Sequence, residues 1–393
     1  MKNRQTQSKP TRLGWHLMIL GLLAMVGGAV QGFNLLLVLS STLLAAMIVH
    51  WRWSGRSIET VGVERRLPTE VFAGKPFRVR YQTSNSNWLM PAWLLQISDV
   101  VTSIHGKGQS VEARCGLGTL PAKVTVAASV DVTIRRRGQY RFGPLTVSTT
   151  FPFSLIHAKK VDSSTAVLDV YPNLISLPSG WKQRLLSHQG GTATAVNRSA
   201  PSEGEFFAMR EYQYGDNPRL IHWRTSARVG SPIIRQFEQL ERYDLCLVLD
   251  AFQHGESQNW EGSSLTDPTE YAISYLTTML TDLIQIPGNR IVLAIAGSEV
   301  QIMQTGSDTQ SFRRMMGALA QTRATTKPTV SQAIDDIAKH SRDISDVVVV
   351  SCRAESEAFA DDDAGLKDLV SPWARRGRFQ WIEARLGASV VNS

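Results

Sequence analysis

The chain has 393 residues, 43% of them apolar, enough for two or three domains with cores of their own. Its net charge of +8 is uneven: residues 1–56 hold Lys2, Arg4, Lys9, Arg12, Arg52 and Arg56 and no acid, leaving 36 Lys and Arg against 34 Asp and Glu elsewhere. A charge confined to one end argues against a nucleic-acid surface, and three widely spaced cysteines (Cys115, Cys246, Cys352) argue against a disulfide framework or a zinc site.

In chain order, Leu13–Val30 is apolar apart from His16, "QGFN" breaks the run, and a second apolar run continues to Trp51. Each run is long enough to cross a bilayer as a helix, and neither contains Asp, Glu, Lys or Arg. No small-residue cleavage site follows the first run, so residues 13–52 read as a transmembrane helical hairpin rather than a signal peptide. Both outer flanks are basic, which predicts that they lie in the cytoplasm with the rest of the chain, the turn lying on the other side. Trp15, Trp51 and Trp53 stand where interfacial anchors would.

Residues 57–170 are rich in Val, Thr and aromatics, with period-two alternation and frequent turns. This predicts an antiparallel β-sandwich of immunoglobulin-like size. The basic triplet Arg135–Arg137 reads as a solvated strand end, with an anion-binding patch as the alternative. Residues 171–203 are loose and rich in Gly, Ser, Thr and Ala, and read as a linker.

Residues 204–241 open with "GEFFAMREYQYGDNPRLIHWRTSAR". "EFFAMREYQ" reads as extended. Asp216 or Asn217 can cap a helix with Pro218 in its first turn, so "PRLIHWRTSAR" predicts a helix of about three turns. Leu220, Trp223 and Ala227 would share one face of it, Arg224 and Arg228 another. Arg210, Arg219, Arg224 and Arg228 could fork onto Glu205, Glu211, Asp216 and Glu238. The cluster is therefore either a clamp or docking surface, or a catalytic group with His222 as base, Asp216 as its orienter and Ser226 as nucleophile. The latter lacks the Gly-x-Ser-x-Gly elbow.

Residues 242–393 alternate short apolar strands ("YDLCLVLD", "RIVLAIAG", "DVVVVS", "RFQWIEA") with helical runs, which predicts a mainly parallel, doubly wound α/β sheet. Asp250 ends the first strand, at the edge where such sheets bind ligands.

The segment from Gly204 to Arg228, followed by "IIRQFEQLE" and "YDLCLVLD", resembles the signature of the bacterial family known as domain of unknown function 58. Its Gly-acid-Phe start, Arg-x-Tyr, Gly-Asp turn at Gly215–Asp216, Arg-x-Ile-His-Trp run and Ser-Ala-Arg end carry the likeness, through Arg210, Tyr212, Arg219, His222, Trp223, Ser226 and Arg228. "RRRGQYRFGPLTV" and "PFSLI" resemble the family's β-domain ending, with Ser154 where the family usually has Gly. The resemblance implies a transmembrane hairpin, a β-rich domain and a von Willebrand A-like, Rossmann-like α/β domain. It also implies partnership with MoxR-type AAA+ ATPases, with transglutaminase-like membrane proteins as further neighbours, in protein assembly, maturation or envelope stress. The expected role is a membrane-anchored adaptor at the inner membrane. Alternatives are a hydrolase or transferase built on the His222 cluster, or a purely structural membrane protein. Von Willebrand A domains often hold a metal through Asp-x-Ser-x-Ser. The corresponding Asp250, Phe252 and His254 make a degenerate series, so neither Mg²⁺ nor another cofactor is expected.

Overall fold

The computed structural model describes residues 4–105, 110–182, 185, 206–214, 216, 218–237, 244–253, 267–286, 290–304, 309–340, 346–361, 365–375 and 378–385. The chain divides into two units, Met1–Tyr171 and Pro172–Ser393. Most of the expected linker over 171–203, and Glu205, Gly215, Asn217, Glu238 and His254, lie outside the described residues.

The first unit begins with a strand, β1 (Arg4–Pro10), and two helices, α1 (Arg12–Gln31) and α2 (Asn34–Glu59). Both helices are long and apolar enough to cross a membrane. Thr11 caps α1, its Oγ1 accepting from the Gly14 N–H, and Gly32 closes it at φ 70°, the left-handed conformation that glycine adopts without strain. The seam between the helices is written in sevens. Gly14, Gly21 and Gly28 are the buried residues of α1, and Ser40, Met47 and Ser54 are among those of α2. Side chains on Gly21 and Gly28 would crowd Leu43, Leu44 and Leu37, so small residues let the helices approach closely. A Cβ on Gly14 would run into the Leu155 carbonyl oxygen.

Among the described residues nine strands follow: β2 (Val61–Arg66), β3 (Val71–Phe72), β4 (Pro76–Asn85), β5 (Ala92–Ser103), β6 (Ser110–Leu120), β7 (Thr125–Thr133), β8 (Gly138–Thr149), β9 (Ile156–Asp162) and β10 (Ala166–Tyr171). With β1 they form two sheets. One is β2-β4-β7, and the other holds seven strands around β8, with β5 and then β6 on one edge and β9 and β10 sharing the other. Period-two alternation turns Val79 and Tyr81 of the first sheet and Ile97, Val101, Phe142 and Leu168 of the second into one core. An ion pair crosses that core. Arg65 on β2 grips Asp99 on β5 with Nε to Oδ2 at 2.5 Å and a second nitrogen to Oδ1 at 2.7 Å, the side chains 6% and 0% exposed. The Tyr81 hydroxyl donates to Asp99 at 3.1 Å, and the guanidinium lies 5.7 Å from the Phe142 ring centroid. Burial pulls the Asp99 carboxyl upward against the opposing effects of Arg65 and Tyr81, and raises the Tyr81 hydroxyl.

Three features depart from the sequence reading. The second helix runs to Glu59, because its last turns are held on the strands: Ser54 donates to the Phe151 carbonyl, and the Lys160 ammonium satisfies the Glu59 carbonyl at 2.7 Å and that of Val61 at 2.6 Å. The strands are not all antiparallel, since β3 and β10 pair in parallel. Finally, Arg4–Pro10, ahead of the first helix, pairs antiparallel with β9 from Arg4↔Asp162 to Pro10↔Ile156. The chain entering α1 and the chain leaving α2 are thus held on the same set of strands.

The link between β8 and β9 contains Ser154 at φ 57°, where the family resemblance places glycine. A left-handed L-residue costs roughly 1–2 kcal/mol, and glycine costs roughly 0.5–1 kcal/mol in chain entropy. Ser154→Gly is therefore expected to stabilise the unit by about 0.5–1 kcal/mol, read as a higher thermal midpoint for the full chain in detergent.

The second unit opens with two paired strands, β11 (Phe206–Glu211) and β12 (Ile233–Phe237). Between them come a 3₁₀ turn at Pro218–Leu220 and a short helix, α3 (Trp223–Val229). There follow β13 (Asp244–Asp250), α4 (Pro268–Ile284), β14 (Arg290–Ala296), β15 (Val300–Gln304), α5 (Thr309–Gln321), α6 (Val330–His340), β16 (Asp346–Ser351), α7 (Glu355–Asp361), α8 (Gly365–Ala374) and β17 (Phe379–Glu383). The sheet order is β15-β14-β13-β16-β17, parallel except for the edge strand β15. Cys246 and Val248 pack with α6 and α8 on one face. Leu245, Leu247 and Leu249 alternate onto the other, and α4 packs on β13 and β16. Asp267 caps α4, with Pro268 beginning it, as "DPTEY" predicts. Order reverses between β13 and β16, so the carboxyl ends of those strands form the switch point where ligands of such sheets bind.

Candidate functional site

Two places gather polar side chains in the second unit: the segment between β11 and β12, and the carboxyl ends of β13 and β16.

In the first, the Arg210 guanidinium forks onto Asp216 with bonds of 2.8 and 2.6 Å. Asp216 also accepts the Gln213 N–H at 2.8 Å, and its own N–H donates to the Gln213 carbonyl at 3.0 Å. The carboxylate thus folds back on the chain before it and caps no helix. Arg210, then the Gln213 amide, holds its carboxyl below the ordinary carboxylate range. Because the folded pKa is depressed, the pair contributes at neutral pH and is lost only as pH falls through that lowered value.

The continuous helix expected over "PRLIHWRTSAR" is interrupted. After the 3₁₀ turn, Ile221 bridges to Ile234 of β12 and the His222 N–H donates to the Ile233 carbonyl at 2.8 Å. Only Trp223–Val229 is α-helical. His222 is its N-cap, Nδ1 accepting the Thr225 N–H at 3.3 Å with the Thr225 hydroxyl at 2.7 Å. Ser226 is buried, its Oγ donating to the His222 carbonyl at 3.1 Å and accepting the Ile233 N–H at 2.8 Å. The residues proposed as base and nucleophile thus each serve the backbone, and Asp216 faces Arg210 instead of His222. His222→Ala is expected to cost about 1 kcal/mol, the worth of a lost cap, and His222→Asn to retain most of it. Hydrogen exchange of the α3 amides in the full chain reads both.

The outer surface is different in kind. Tyr214 is fully exposed and Trp223 is 70% exposed. Arg219, Arg224, Ala227 and Arg228 are exposed as well. Leu220 lies in the 3₁₀ turn ahead of α3, so Leu220, Trp223 and Ala227 do not share the face of one helix. Tyr212 is half-buried, its N–H donating to the Pro232 carbonyl at 2.8 Å. Exposed aromatics and arginines on a braced segment are the residue types that dominate protein interfaces.

At the sheet edge, Asp250 is fully buried and has three donors: the Ser351 hydroxyl at 2.7 Å, Arg353 Nε at 2.8 Å and the Phe252 N–H at 3.1 Å. The Arg353 side chain is 2% exposed, with its guanidinium 4.2 Å from the Phe252 ring centroid. Its N–H donates to Ser351 Oγ, and its carbonyl accepts from the Trp381 indole at 3.0 Å. The sequence reading missed Arg353; the available signal was an arginine two residues past the buried run "DVVVVS", beside a strand ending in Asp. A hard divalent ion needs several oxygen ligands. Here the carboxylate already faces a fixed cation, and the residue two positions on is Phe. These residues do not fit a metal, and among the described residues no group of three or more His, Cys, Asp or Glu side chains could hold one. Cys352 donates to the Phe252 carbonyl, and burial raises its thiol pKa, as it does that of Cys246, pushed up to about 12. Neither thiol is activated.

Two apolar helices joined to a β-strand unit, and an α/β unit introduced by a clamped two-stranded arm, define the class of protein. Residues 208–361 match the family described as "Protein of unknown function DUF58". It is 24% identical over 230 residues to the uncharacterized protein YeaD of Bacillus subtilis (strain 168), a match covering 58% of this chain and 54% of YeaD. The chain thus spans about half the length of that curated relative. Among solved structures it is similar to the C-terminal domain of Wzt (8% identity, TM-score 0.22, covering 30% of this chain and 80% of that one). It is also similar to the CARDB domain of a Pyrococcus furiosus protein (14% identity, TM-score 0.18, covering 28% and 86%). Likenesses this slight carry no fold assignment.

Proposed function

We propose that the chain is a membrane-anchored adaptor that holds a MoxR-type AAA+ ATPase at the cytoplasmic face of the inner membrane for protein assembly, maturation or envelope stress. We read α1 and α2 as a spanning hairpin, the two sheets of the first unit as a β-sandwich, and the second unit as a von Willebrand A-like domain whose metal position is taken by Arg353. A transglutaminase-like membrane protein is a second partner of the same assembly.

The observation that carries this reading is the division of the signature segment. Its inner groups, Arg210, Asp216, His222 and Ser226, are engaged with one another and with the backbone. Tyr214 and Trp223, with Arg224 and Arg228 beside them, face solvent. That arrangement suits docking better than turnover. The pairing of β1 with β9 supports a hairpin whose two outer flanks share one side of the membrane, and the basic flanks favour the cytoplasm as that side.

The test is crosslinking in native membranes, followed by affinity capture of the full chain. Wild type should retain an AAA+ ATPase and a folded Tyr214→Ala/Trp223→Ala variant should lose it. Capture without any ATPase would remove the partner from the reading. A reporter fused after Ser393 should be active only in the cytoplasm, and activity only outside it would reverse the orientation.

A further inference from the structure

The first unit exposes a second apolar surface, beside the place where α2 ends. Trp88 is 74% exposed, Leu89 64%, Leu94 61% and Phe153 66%. Trp88 and Leu89 sit at the tip of the link between β4 and β5, and that tip is braced by side-chain hydrogen bonds. Asn87 Oδ1 accepts the N–H groups of Leu89 and Met90 at 3.0 and 3.2 Å, and Asn85 Nδ2 donates to the Met90 carbonyl at 2.9 Å. A braced loop that points large apolar groups outward marks an interaction surface.

Its surroundings identify the occupant. The tip is tied to Thr60, the C-cap of α2, whose hydroxyl donates to Asn85 Oδ1 at 3.1 Å and whose carbonyl accepts from Ser86 Oγ at 2.8 Å. Trp93, next to Leu94, stacks on Phe151 with ring centroids 4.8 Å apart. The Phe151 carbonyl in turn accepts from Ser54 Oγ at 2.9 Å and from His50 Nε2 at 3.1 Å. Phe153 lies edge-on to His50 at 5.8 Å, and the Leu155 carbonyl accepts the Thr11 N–H at 2.9 Å, at the start of α1. The loop from Phe151 to Leu155 is therefore level with the first turn of α1 and with residues 50–54 of α2. The apolar spans end at that level, and Arg12, Arg52, Arg56, Trp15, Trp51 and Trp53 are exposed there. Aromatic residues at a span's edge beside arginines are the chemistry of a headgroup boundary carrying anionic lipid.

We propose that Trp88, Leu89, Leu94 and Phe153 seat in the bilayer interface around the hairpin, so that the first unit grips the membrane as well as being tethered to it. The inference rests on the reading of α1 and α2 as a spanning hairpin. Insertion would fix the unit's tilt at the membrane, which two helices alone leave free to vary.

The experiment places a photoreactive benzoyl-phenylalanine singly at Leu39, Trp88, Phe153 and Thr133 of the full chain. Each variant is reconstituted in nanodiscs of phosphatidylethanolamine and phosphatidylglycerol. Leu39 lies within α2 and reports the hairpin. Thr133 is exposed at the far end of β7, some eight residues or ~26 Å along the strand from Thr125. Lipid adducts at 88 and 153 comparable with those at 39, with background only at 133, are the expected result. Adducts at 39 without adducts at both 88 and 153, or protein adducts there in place of lipid, would overturn the proposal and leave the hairpin standing. No adduct at 39 would overturn the hairpin reading and the proposal with it.

Discussion

Asp250→Ala will destabilise the α/β unit by about 3–5 kcal/mol, the usual consequence of removing one partner of a buried ion pair. Asp250 and Arg353 are 0% and 2% exposed, and the variant removes the buried carboxylate that Arg353 Nε holds at 2.8 Å beside the Phe252 ring. Arg353→Met should cost a similar amount, by stranding Asp250 with only Ser351 and the Phe252 amide as donors. The double variant Asp250→Ala/Arg353→Met should recover much of the loss, because an apolar replacement of a buried pair is often close to neutral. Hydrogen exchange on the β13 and β16 peptides of the full chain reads the effect locally, which matters because a chain of two units has no single unfolding free energy. The result also bears on metal binding. A Mg²⁺ titration of the wild type that saturated at micromolar concentration, and was abolished by Asp250→Ala, would show that the guanidinium does not fill the site.

The second large effect belongs to the first unit. Arg65→Met will destabilise it by about 3–5 kcal/mol, because Asp99 remains fully buried with the Tyr81 hydroxyl as its nearest side-chain donor. Tyr81→Phe should cost only about 1 kcal/mol, the net worth of one hydrogen bond. The pair joins β2 of one sheet to β5 of the other, so its loss should loosen both sheets together. Exchange protection falling in β4 and β8 alike would confirm the coupling; loss confined to β2 would contradict it.

What the sequence made legible follows from where the physical signal lay. "YDLCLVLD" is a continuous apolar run, which suits a strand covered on both faces, and β13 is such a strand at the centre of its sheet. The helix beginning at Pro268 and the two apolar helices were equally readable, by their cap and by their length. Arg4–Pro10 was not, since "RQTQSKP" has no apolar alternation and pairs only because β9 offers an open edge. The seam of Gly14, Gly21 and Gly28 carried a readable spacing of seven that hydropathy alone conceals. In the signature segment the Arg210–Asp216 fork was foreseeable from residue types six apart. The helix was over-extended because 3.6-residue spacing cannot register that Ile221 and His222 bond to β12. Arg353 and Asp250 are over a hundred residues apart, and only the parallel pairing of β13 with β16 brings them together.

The central claim is that the outward face of the signature segment binds a partner while its inner groups only hold it in shape. The most direct measurement is the affinity of the full chain, reconstituted in nanodiscs, for a MoxR-type AAA+ ATPase from the same cell, with wild type beside Trp223→Ala and His222→Asn. Trp223→Ala should bind at least tenfold more weakly, since exposed aromatic anchors typically carry about 1–2 kcal/mol or more, and His222→Asn should keep near wild-type affinity. Unchanged affinity in Trp223→Ala, with the segment still folded, would contradict that claim.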